Sequence, residues 1–450
     1  MKKNIVKLLS LLILVAIVLG SFSGCQSTET GDQPSESTGS SLGEFVDYAD
    51  KLKLDRDSDS LQMEVTVKTF VDGDTTHFYV TDPAFTGGVL KARYLAINTP
   101  ESTGKIEEFG KKASKFTREK LENATSIIVE SDNGTWNADS TGSRYLVWVW
   151  YKTAEMTDYR NLNLEILQNG LAIASNTAQN RYGTTCMDAL NQAKAHKLNV
   201  FSGEKDPDFY YGAAHEVTLK EIRTNTEAYG GEKVAFTGII TINNNNGVYV
   251  ESYDEETGVY YGMYVYYGFN LSGTGLSILK PGYEVRIVGS LQYYEAGGTW
   301  QVADLSYDMM DPTSPTNIQK ISEGHSPAYV LTTAETFQST LDLEMEEGTQ
   351  SFKYAHLAMN TSIEMKNLYV KDVYTTRNED SSSYGAMTLT CEVDGKTIAV
   401  RTVVLRDENG ELITSAQYLG KTIDVKGVVD YFDGSYQIKV FTEDSITIHN

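Results

Sequence analysis

The stretch ARYLAINTPES, residues 92–102, places a cation a few residues before a polar turn. A guanidinium such as that of Arg93 can hold a phosphate through two parallel hydrogen bonds. The turn that follows offers Thr99 and Glu101, and oxygen groups of this kind can hold a divalent cation beside the phosphate. The position best suited to a carboxylate ligand carries the neutral amide of Asn98. The stretch therefore predicts a phosphate site, and Asn98 raises the question of whether that site is active or decayed.

Two other stretches carry residues suited to the same chemistry. VDGDT provides Asp74 after a hairpin turn, and DSTGSRYLVWV provides Arg144 at the start of a strand. Hydrolysis of a phosphodiester builds negative charge on the non-bridging oxygens, and two guanidinium groups with a divalent cation can stabilise that charge. A hard oxygen site with open positions suits Ca²⁺. This chemistry requires no Ser or Cys nucleophile, and the six histidines are scattered without the spacing of zinc ligands.

Each of these residues also has an ordinary structural interpretation. An Asp in a turn is usually turn chemistry, an Arg at a strand start is usually a surface charge, and a Glu after Pro often begins a helix. Only their occurrence together makes a site the better hypothesis.

The elements around these residues predict a small β-barrel with helices packed on it. MEVTVKTFVDGDTTHFYV and GGVLKARYLAI alternate like strands, and TSIIVESD and RYLVWVWY are two further strands. EEFGKKASKFTREKLENA has the apolar spacing of an amphipathic helix. NLNLEILQNGLAIA predicts a helix broken at Gly170, CMDALNQAKAHKLNVF predicts a closing helix, and SGEKDPDFYYG predicts a linker.

The second half of the chain contains an internal repeat. KPGYEVRIVGSLQYYEAGGTWQVADLS and LGKTIDVKGVVDYFDGSYQIKVFTEDSITI share a turn, a strand, an aromatic hairpin around Gly and a second strand. This design resembles the last hairpin of an OB-fold, a five-stranded Greek-key barrel. The fold class predicted for the whole chain is therefore mainly β with α. It comprises one small β-barrel with helices packed on it and two further OB-like β-barrels.

The N-terminus predicts export and a lipid anchor. Lys2, Lys3 and Lys7 precede an apolar run from Leu8 to Leu19, which is too short to span a bilayer and is typical of a signal peptide. FSGC resembles a bacterial lipobox, which implies cleavage before Cys25 and lipidation of its thiol. The alternative is an ordinary secreted protein with a stray cysteine. The predicted location is the cell membrane, lipid-anchored and facing the extracellular side.

The predicted domain boundaries follow from these patterns. Cys186 and Cys391 are predicted to be buried thiols without a disulfide role. The predicted segments are a lipoprotein signal peptide (1–24), a flexible tether (25–60), the first barrel domain (61–205), OB-like domain 1 (215–310) and OB-like domain 2 (331–450).

The charge of the chain is distributed unevenly. The formal net charge is -23, which opposes phosphate binding because that binding depends on Lys and Arg. Residues 61–205 nevertheless hold about 17 acidic and 16 basic residues, whereas residues from 206 onward hold about 35 acidic and 16 basic. A site for an anion is therefore expected in the first half.

VDGDT, NTPE, FGKKASKFT and AKAHKLNVFSG, in this order, resemble the staphylococcal nuclease (thermonuclease) family over about residues 63–203. The resemblance implies an OB-type barrel capped by helices and a Ca²⁺-dependent nuclease. It implies Asp74, Asn98 and the backbone carbonyl of Thr99 as metal ligands, with Asn98 where the family usually has an aspartate. It also implies Glu101 as the group that holds or deprotonates water, and Arg93 and Arg144 as clamps on the phosphate.

The function predicted from the sequence is an extracellular, Ca²⁺-dependent nuclease that hydrolyses DNA and RNA with low sequence specificity. Its predicted partners are these substrates and the membrane, with no obligate protein partner. The alternative is a non-catalytic nucleic-acid-binding or adhesive surface lipoprotein with a decayed site.

The aromatic residues of OB-like domain 1 leave two interpretations open, a platform for stacked bases or the packing of a sheet. They are Tyr249, Tyr253, Tyr260, Tyr261, Tyr264, Tyr266, Tyr267, Phe269, Tyr293, Tyr294 and Trp300.

Overall fold

The computed structural model describes residues 44–449, apart from Ala84, 269–270, Ala296, 346–347 and 379–380. The predicted signal peptide, Cys25 and residues 26–43 of the predicted tether lie outside the described residues. Within the described part of the chain, no helix has the length and apolar character needed to cross a membrane.

The first β-barrel is closed by five strands. Its strands, with two short pairs at its ends, are β1 (Gln62–Asp72), β2 (Thr75–Tyr79), β3 (Val89–Tyr94), β4 (Ile97–Asn98), β5 (Ser126–Glu130), β6 (Tyr145–Lys152), β7 (Arg160–Asn161) and β8 (Ile173–Ala174). The order around the barrel is β1, β2, β3, β6 and β5, and β5 pairs back with β1. β3 and β6 run parallel. This closed arrangement is that of an OB-type barrel.

Four helices belong to the same part of the chain, namely α1 (Tyr48–Lys51), α2 (Gly110–Glu122), α3 (Leu162–Gln168) and α4 (Gly183–Ala195). α2 buries Gly110, Ala113, Thr117 and Leu121, which repeat every three or four residues as an amphipathic helix requires. The break predicted at Gly170 is confirmed, because α3 ends just before this glycine and its φ is 66°, a value that glycine adopts without strain.

Two further barrels follow with the same strand order. The second sheet contains β9 (His215–Glu216), β10 (Lys233–Asn243), β11 (Gly247–Asp254), β12 (Val259–Tyr266), β13 (Tyr283–Tyr294), β14 (Thr299–Ala303) and β15 (Gln319–Glu323). The later strands are β16 (Val330–Leu331), β17 (Thr340–Met345), β18 (Gly348–Lys353), β19 (Ser362–Thr375), β20 (Met387–Val393), β21 (Lys396–Thr402), β22 (Thr422–Phe432), β23 (Ser435–Val440) and β24 (Ile446–His449). The short helices are α5 (Leu219–Thr224), α6 (Gly273–Ile278), α7 (Ala334–Phe337) and α8 (Tyr354–Leu357).

Closure of these barrels repeats the plan of the first one. β13 pairs back with β10, and β22 pairs back with β19. In each barrel the third and fifth strands run parallel, as β12 does with β14 and β21 with β23. The predicted fold class, mainly β with α and built on OB-type barrels, is confirmed.

The region between the second and third barrels is more interwoven than the sequence patterns indicate. β15 lies beyond residue 310 and pairs with β13. Leu343 of the β17–β18 hairpin packs into the hydrophobic core of the second barrel. Arg223 is fully buried and donates to the carbonyl of Gly262 at 2.6 Å and to Oδ1 of Asn360 at 2.5 Å. The domain boundaries remain predictions. A boundary near residue 330 would separate residues that are in contact in this region.

The aromatic residues of the second barrel divide between the two interpretations. Tyr249, Tyr261 and Tyr267 are buried and pack the barrel, whereas Tyr253, Tyr293 and Tyr294 are about half exposed. Phe269 lies outside the described residues. Cys186 and Cys391 are buried and unpaired, as predicted, and burial raises the pKa of each thiol to about 12.

Candidate functional site

Asp74 lies at the tight turn between β1 and β2, and its carboxylate is buried. Oδ2 accepts a hydrogen bond of 2.9 Å from the Thr99 N–H, and Oδ1 accepts one of 3.1 Å from the Thr75 hydroxyl. The Asp74 carbonyl accepts the N–H of Tyr94 at 2.9 Å. The hairpin turn, β3 and the turn after β4 therefore meet at this one residue.

Arg93 faces Asp74 across the β2–β3 pairing, in which it lies opposite Thr75. Its Nη1 forms an ion pair with Oδ1 of Asp74, and its Nη2 donates to Oδ1 of Asn98 at 2.5 Å. Burial, reinforced by the positive charge of Arg144, lowers the pKa of Arg93 from its usual value. Asp74 and Asn98, two of the predicted metal ligands, thus both direct a side-chain oxygen at the guanidinium of Arg93.

Thr99 completes this group of predicted ligands. The residue is buried, and its hydroxyl oxygen has no hydrogen-bond partner among the described residues. A buried oxygen of this kind costs free energy unless a partner is supplied. Gly73 allows the close approach, because a Cβ at that position would lie 2.9 Å from Oγ1 of Thr99. The unpartnered Thr99 hydroxyl is an oxygen that this turn could offer to a hard cation, in addition to the backbone carbonyl that the resemblance implies.

Glu101 follows this turn, and its carboxyl lies beside that of Asp72. Partial desolvation, a hydrogen bond with Asp72 and the negative charges of Asp72 and Glu107 raise the pKa of Glu101 to about 7. A carboxylate with a raised pKa is a stronger base than an ordinary surface carboxylate, as water activation requires.

Asp72 is a residue of this site that the sequence reasoning did not single out. Its side chain is buried, and Oδ1 accepts hydrogen bonds from the Gly73 N–H at 2.8 Å and from the Ser102 hydroxyl at 2.6 Å. It therefore ties the hairpin turn to the residue after Glu101. The VDGDT motif could have indicated Asp72, because it contains two aspartates, but only the second, Asp74, was predicted as a site residue.

The loop from Glu101 to Gly110 is fixed by contacts from distant parts of the chain. Gln292 of β13 accepts the Gly104 N–H at 3.0 Å and donates to the Gly104 carbonyl at 2.9 Å. Asp206, in the predicted linker, accepts the Phe109 N–H at 2.6 Å. At Gly110 a Cβ would lie 2.1 Å from the Glu101 carbonyl oxygen, so only glycine lets α2 begin this close to the loop.

Arg144 is positioned less directly than the other predicted residues. It directly precedes β6, whose Tyr145 pairs with Ala92 of β3, so it lies at the barrel edge that also carries Arg93. Its Nε and Nη2 both donate to Oδ2 of Asp139, at 2.7 and 2.6 Å, and the side chain is about one third exposed. The guanidinium is therefore bound to its own hairpin in the substrate-free chain.

A comparison with known families agrees with this geometry. A family model described as staphylococcal nuclease homologue matches residues 91–203. This segment is therefore similar to staphylococcal nuclease, and we call the barrel that contains it the nuclease domain. The match supports a nuclease-like, nucleic-acid-binding function for the domain, and nuclease activity is what the family suggests. Arg93, Asn98, Thr99, Glu101 and Arg144 lie inside the matched range, whereas Asp72 and Asp74 lie before it.

The nuclease domain offers few carboxylates to a metal. Among the described residues, no group of three or more His, Cys, Asp or Glu side chains is placed to hold a metal ion. The predicted calcium ligands contain only one carboxylate, that of Asp74, with the Asn98 amide and Thr99 as neutral oxygen donors. The nuclease domain therefore brings five of the six predicted site residues together around Arg93 and the 98–101 turn, and leaves Arg144 at the edge.

Proposed function

We propose that the chain is a Ca²⁺-dependent phosphodiesterase that hydrolyses DNA and RNA. The observation that carries this proposal is the convergence of the Asp74 and Asn98 oxygens on the Arg93 guanidinium, with Asn98 three residues before Glu101. Within a nuclease domain, this arrangement supplies oxygen ligands, a phosphate-binding cation and a base in one place. Low sequence specificity follows, because these groups are suited to contact phosphate and not base edges.

Each residue has one role in this proposal. Asp74, Asn98 and Thr99 would hold Ca²⁺, which when bound supplies Lewis-acid stabilisation of the charge that develops on the phosphate. Glu101 takes the proton of the attacking water or orients it. Arg93 and Arg144 turn from Asp74 and Asp139 to the non-bridging oxygens, where bidentate hydrogen bonds stabilise the negative charge of the transition state.

Cleavage assays with defined metal content test this function. Purified protein is incubated with end-labelled DNA and RNA oligonucleotides in the presence of Ca²⁺, and in parallel with a chelator. We expect cleavage with Ca²⁺ and none with the chelator. Binding of the oligonucleotides without cleavage at any pH would instead support the alternative, a nucleic-acid-binding lipoprotein with a decayed site.

The neutral ligand Asn98 is expected to set the calcium requirement. Asn98→Asp adds one negative charge to the ligand set, so the Ca²⁺ concentration for half-maximal cleavage should fall severalfold. Asn98→Ala, which removes the oxygen, should raise it. Both are measured as cleavage rate against free Ca²⁺. A requirement that is unchanged or raised in Asn98→Asp would exclude Asn98 as a ligand.

We also propose that the mature protein is anchored through a lipid on Cys25 and faces the extracellular side. The support is the signal-like N-terminus and FSGC in the sequence. A covalent lipid with more than one acyl chain partitions a protein stably into detergent or membrane. Protein from a bacterial host should enter the detergent phase of a cloud-point extraction, and Cys25→Ser should leave it in the aqueous phase. The same partition for both proteins would contradict the anchor.

A further inference from the structure

A row of outward-facing side chains leads away from Arg93 along the first barrel. In the β2–β3 pairing, Arg93 lies opposite Thr75, His77 lies opposite Lys91, and Tyr79 lies opposite Val89. Residues two apart on a strand face the same side. The exposed or half-exposed residues His77, Tyr79 and Lys91 therefore lie on the face that carries Arg93, and Lys68 of β1 joins them through its contact with Tyr79. We call Lys68, His77, Tyr79 and Lys91 the basic strip.

Neither lysine of the basic strip has an ion-pair partner among the described residues, whereas Lys53, Lys105, Lys115 and Lys120 each have one. Burial, and then the positive charges of Lys91, Lys68 and Arg144, lower the pKa of His77. Two unpaired ammonium groups on the face that carries Arg93 suit a negatively charged ligand.

The basic strip ends at the exposed ring of Tyr79, which lies beside a hollow in the surface. Nζ of Lys68 lies 5.5 Å from the centre of the Tyr79 ring, and Tyr79 is 53% exposed. Tyr79 lines a hollow of about 290 Å³ together with the hydroxyl-bearing Thr66, Thr81 and Thr125 and the carboxylate-bearing Glu64. An exposed ring can stack on a base, and a carboxylate or hydroxyl can accept from an exocyclic amine of a base. The hollow thus suits a base, whereas Glu64 would repel a phosphate there.

The contact with the phosphodiester at Arg93 and the contact with a base at Tyr79 would be made at opposite ends of the β2–β3 pairing. From the Arg93–Thr75 pair to the Val89–Tyr79 pair is four residues, or ~13 Å at the usual rise of an antiparallel strand. The lysines lie between these ends. We propose that the basic strip and the hollow at Tyr79 form a binding subsite for a nucleotide that flanks the phosphodiester at Arg93. Its phosphate lies against Lys91 and Lys68, and its base lies against Tyr79. The identification of the ligand as a nucleic acid rests on the proposed function. The charge and shape of the surface do not depend on it.

The test compares long and short substrates. Lys68→Ala/Lys91→Ala is assayed with a DNA oligonucleotide and with a dinucleotide. The dinucleotide used has a single phosphodiester, which lies at Arg93, and no second phosphate to place against Lys91 and Lys68. We expect kcat/KM for the oligonucleotide to fall about tenfold or more at low salt, with that for this dinucleotide unchanged. The slope of log affinity against log salt should decrease by about 0.7 for each lysine that contacts a phosphate. Tyr79→Ala should weaken oligonucleotide binding roughly tenfold without changing this slope.

Lys115→Ala is the control, because it removes an exposed positive charge from α2 and not from the strands that carry the basic strip. An unchanged salt slope and unchanged oligonucleotide affinity in the double lysine variant would overturn the subsite. An equal loss on both substrates would also overturn it, since the lysines would then act on the site itself or on folding. Oligonucleotide affinity measured by fluorescence anisotropy without Ca²⁺ tests the surface even if the wild type cleaves nothing, an outcome that would refute only the proposed function.

Discussion

Glu101→Gln should reduce the rate of cleavage by about 10²- to 10⁴-fold, the usual contribution of a general base. The substitution keeps the size of the side chain and removes only the group that accepts the proton. Affinity for an oligonucleotide should be retained, because Arg93 and the other phosphate-binding groups are unchanged. The measurements are single-turnover cleavage rates at saturating Ca²⁺ and binding by fluorescence anisotropy.

The fold should not suffer from Glu101→Gln. The change removes a negative charge next to Asp72, where like charges repel each other in the native chain, so the free energy of unfolding should stay the same or rise. Glu119→Gln, on the exposed side of α2, is the matched control and should cleave at the wild-type rate. Cleavage by Glu101→Gln within a few fold of wild type would exclude Glu101 as the base.

Arg93→Ala should have the second large effect, and it should act on stability as well as on activity. The guanidinium neutralises the Asp74 carboxylate, and both side chains are largely buried, with 16% and 5% of their surface exposed. Removing one partner of a buried ion pair leaves an uncompensated charge and costs about 3–5 kcal/mol of unfolding free energy. Cleavage should fall by about 10²-fold or more, as for the loss of a donor to a developing oxyanion.

Chemical denaturation in the presence of a chelator measures the stability effect. Arg93→Ala/Asp74→Asn should recover much of the lost stability, because no lone carboxylate remains, whereas Lys115→Ala should change it by less than ~0.5 kcal/mol. Calcium should raise the thermal midpoint of Arg93→Ala more than that of the wild type, since the metal then supplies the missing positive charge. Equal shifts in both proteins would place the calcium site away from Asp74.

The barrel and the residues around Arg93 could be predicted because their signals are local. The period-two alternation of β1, β2 and β3 fixes which side chains face outward. Short turns such as that at Asp74 determine which strands are neighbours. The amphipathic spacing of α2 depends only on residues a few positions apart, although its start at Gly110 comes three residues later than the sequence pattern indicates. That difference follows from the close contact between Gly110 and the Glu101 carbonyl, which no local pattern shows.

The contacts that were missed join residues far apart in the sequence. Gln292 and Gly104 are 188 residues apart, and Asp206 and Phe109 are 97 apart. A glutamine in a strand and an aspartate in a polar linker look like ordinary surface residues, and only the docking of the barrels buries them. The pairing of Arg144 with Asp139 was missed for a different reason. The sequence indicated the role of the arginine with substrate, whereas the substrate-free chain satisfies its charge within the hairpin.

The double hydrogen bond between Gln292 and Gly104 has a consequence for the dissection of this protein into parts. A fragment that ends at residue 205 would contain every predicted catalytic residue, but it would lack both Gln292 and Asp206. The Glu101 loop would then lose two anchors that hold its backbone at residues 104 and 109. Loops released from such contacts sample more conformations, and small displacements of a catalytic group lower rates steeply. Low activity in such a fragment would therefore reflect the loss of the contacts made by Gln292 and Asp206, and not a defect in the nuclease site itself.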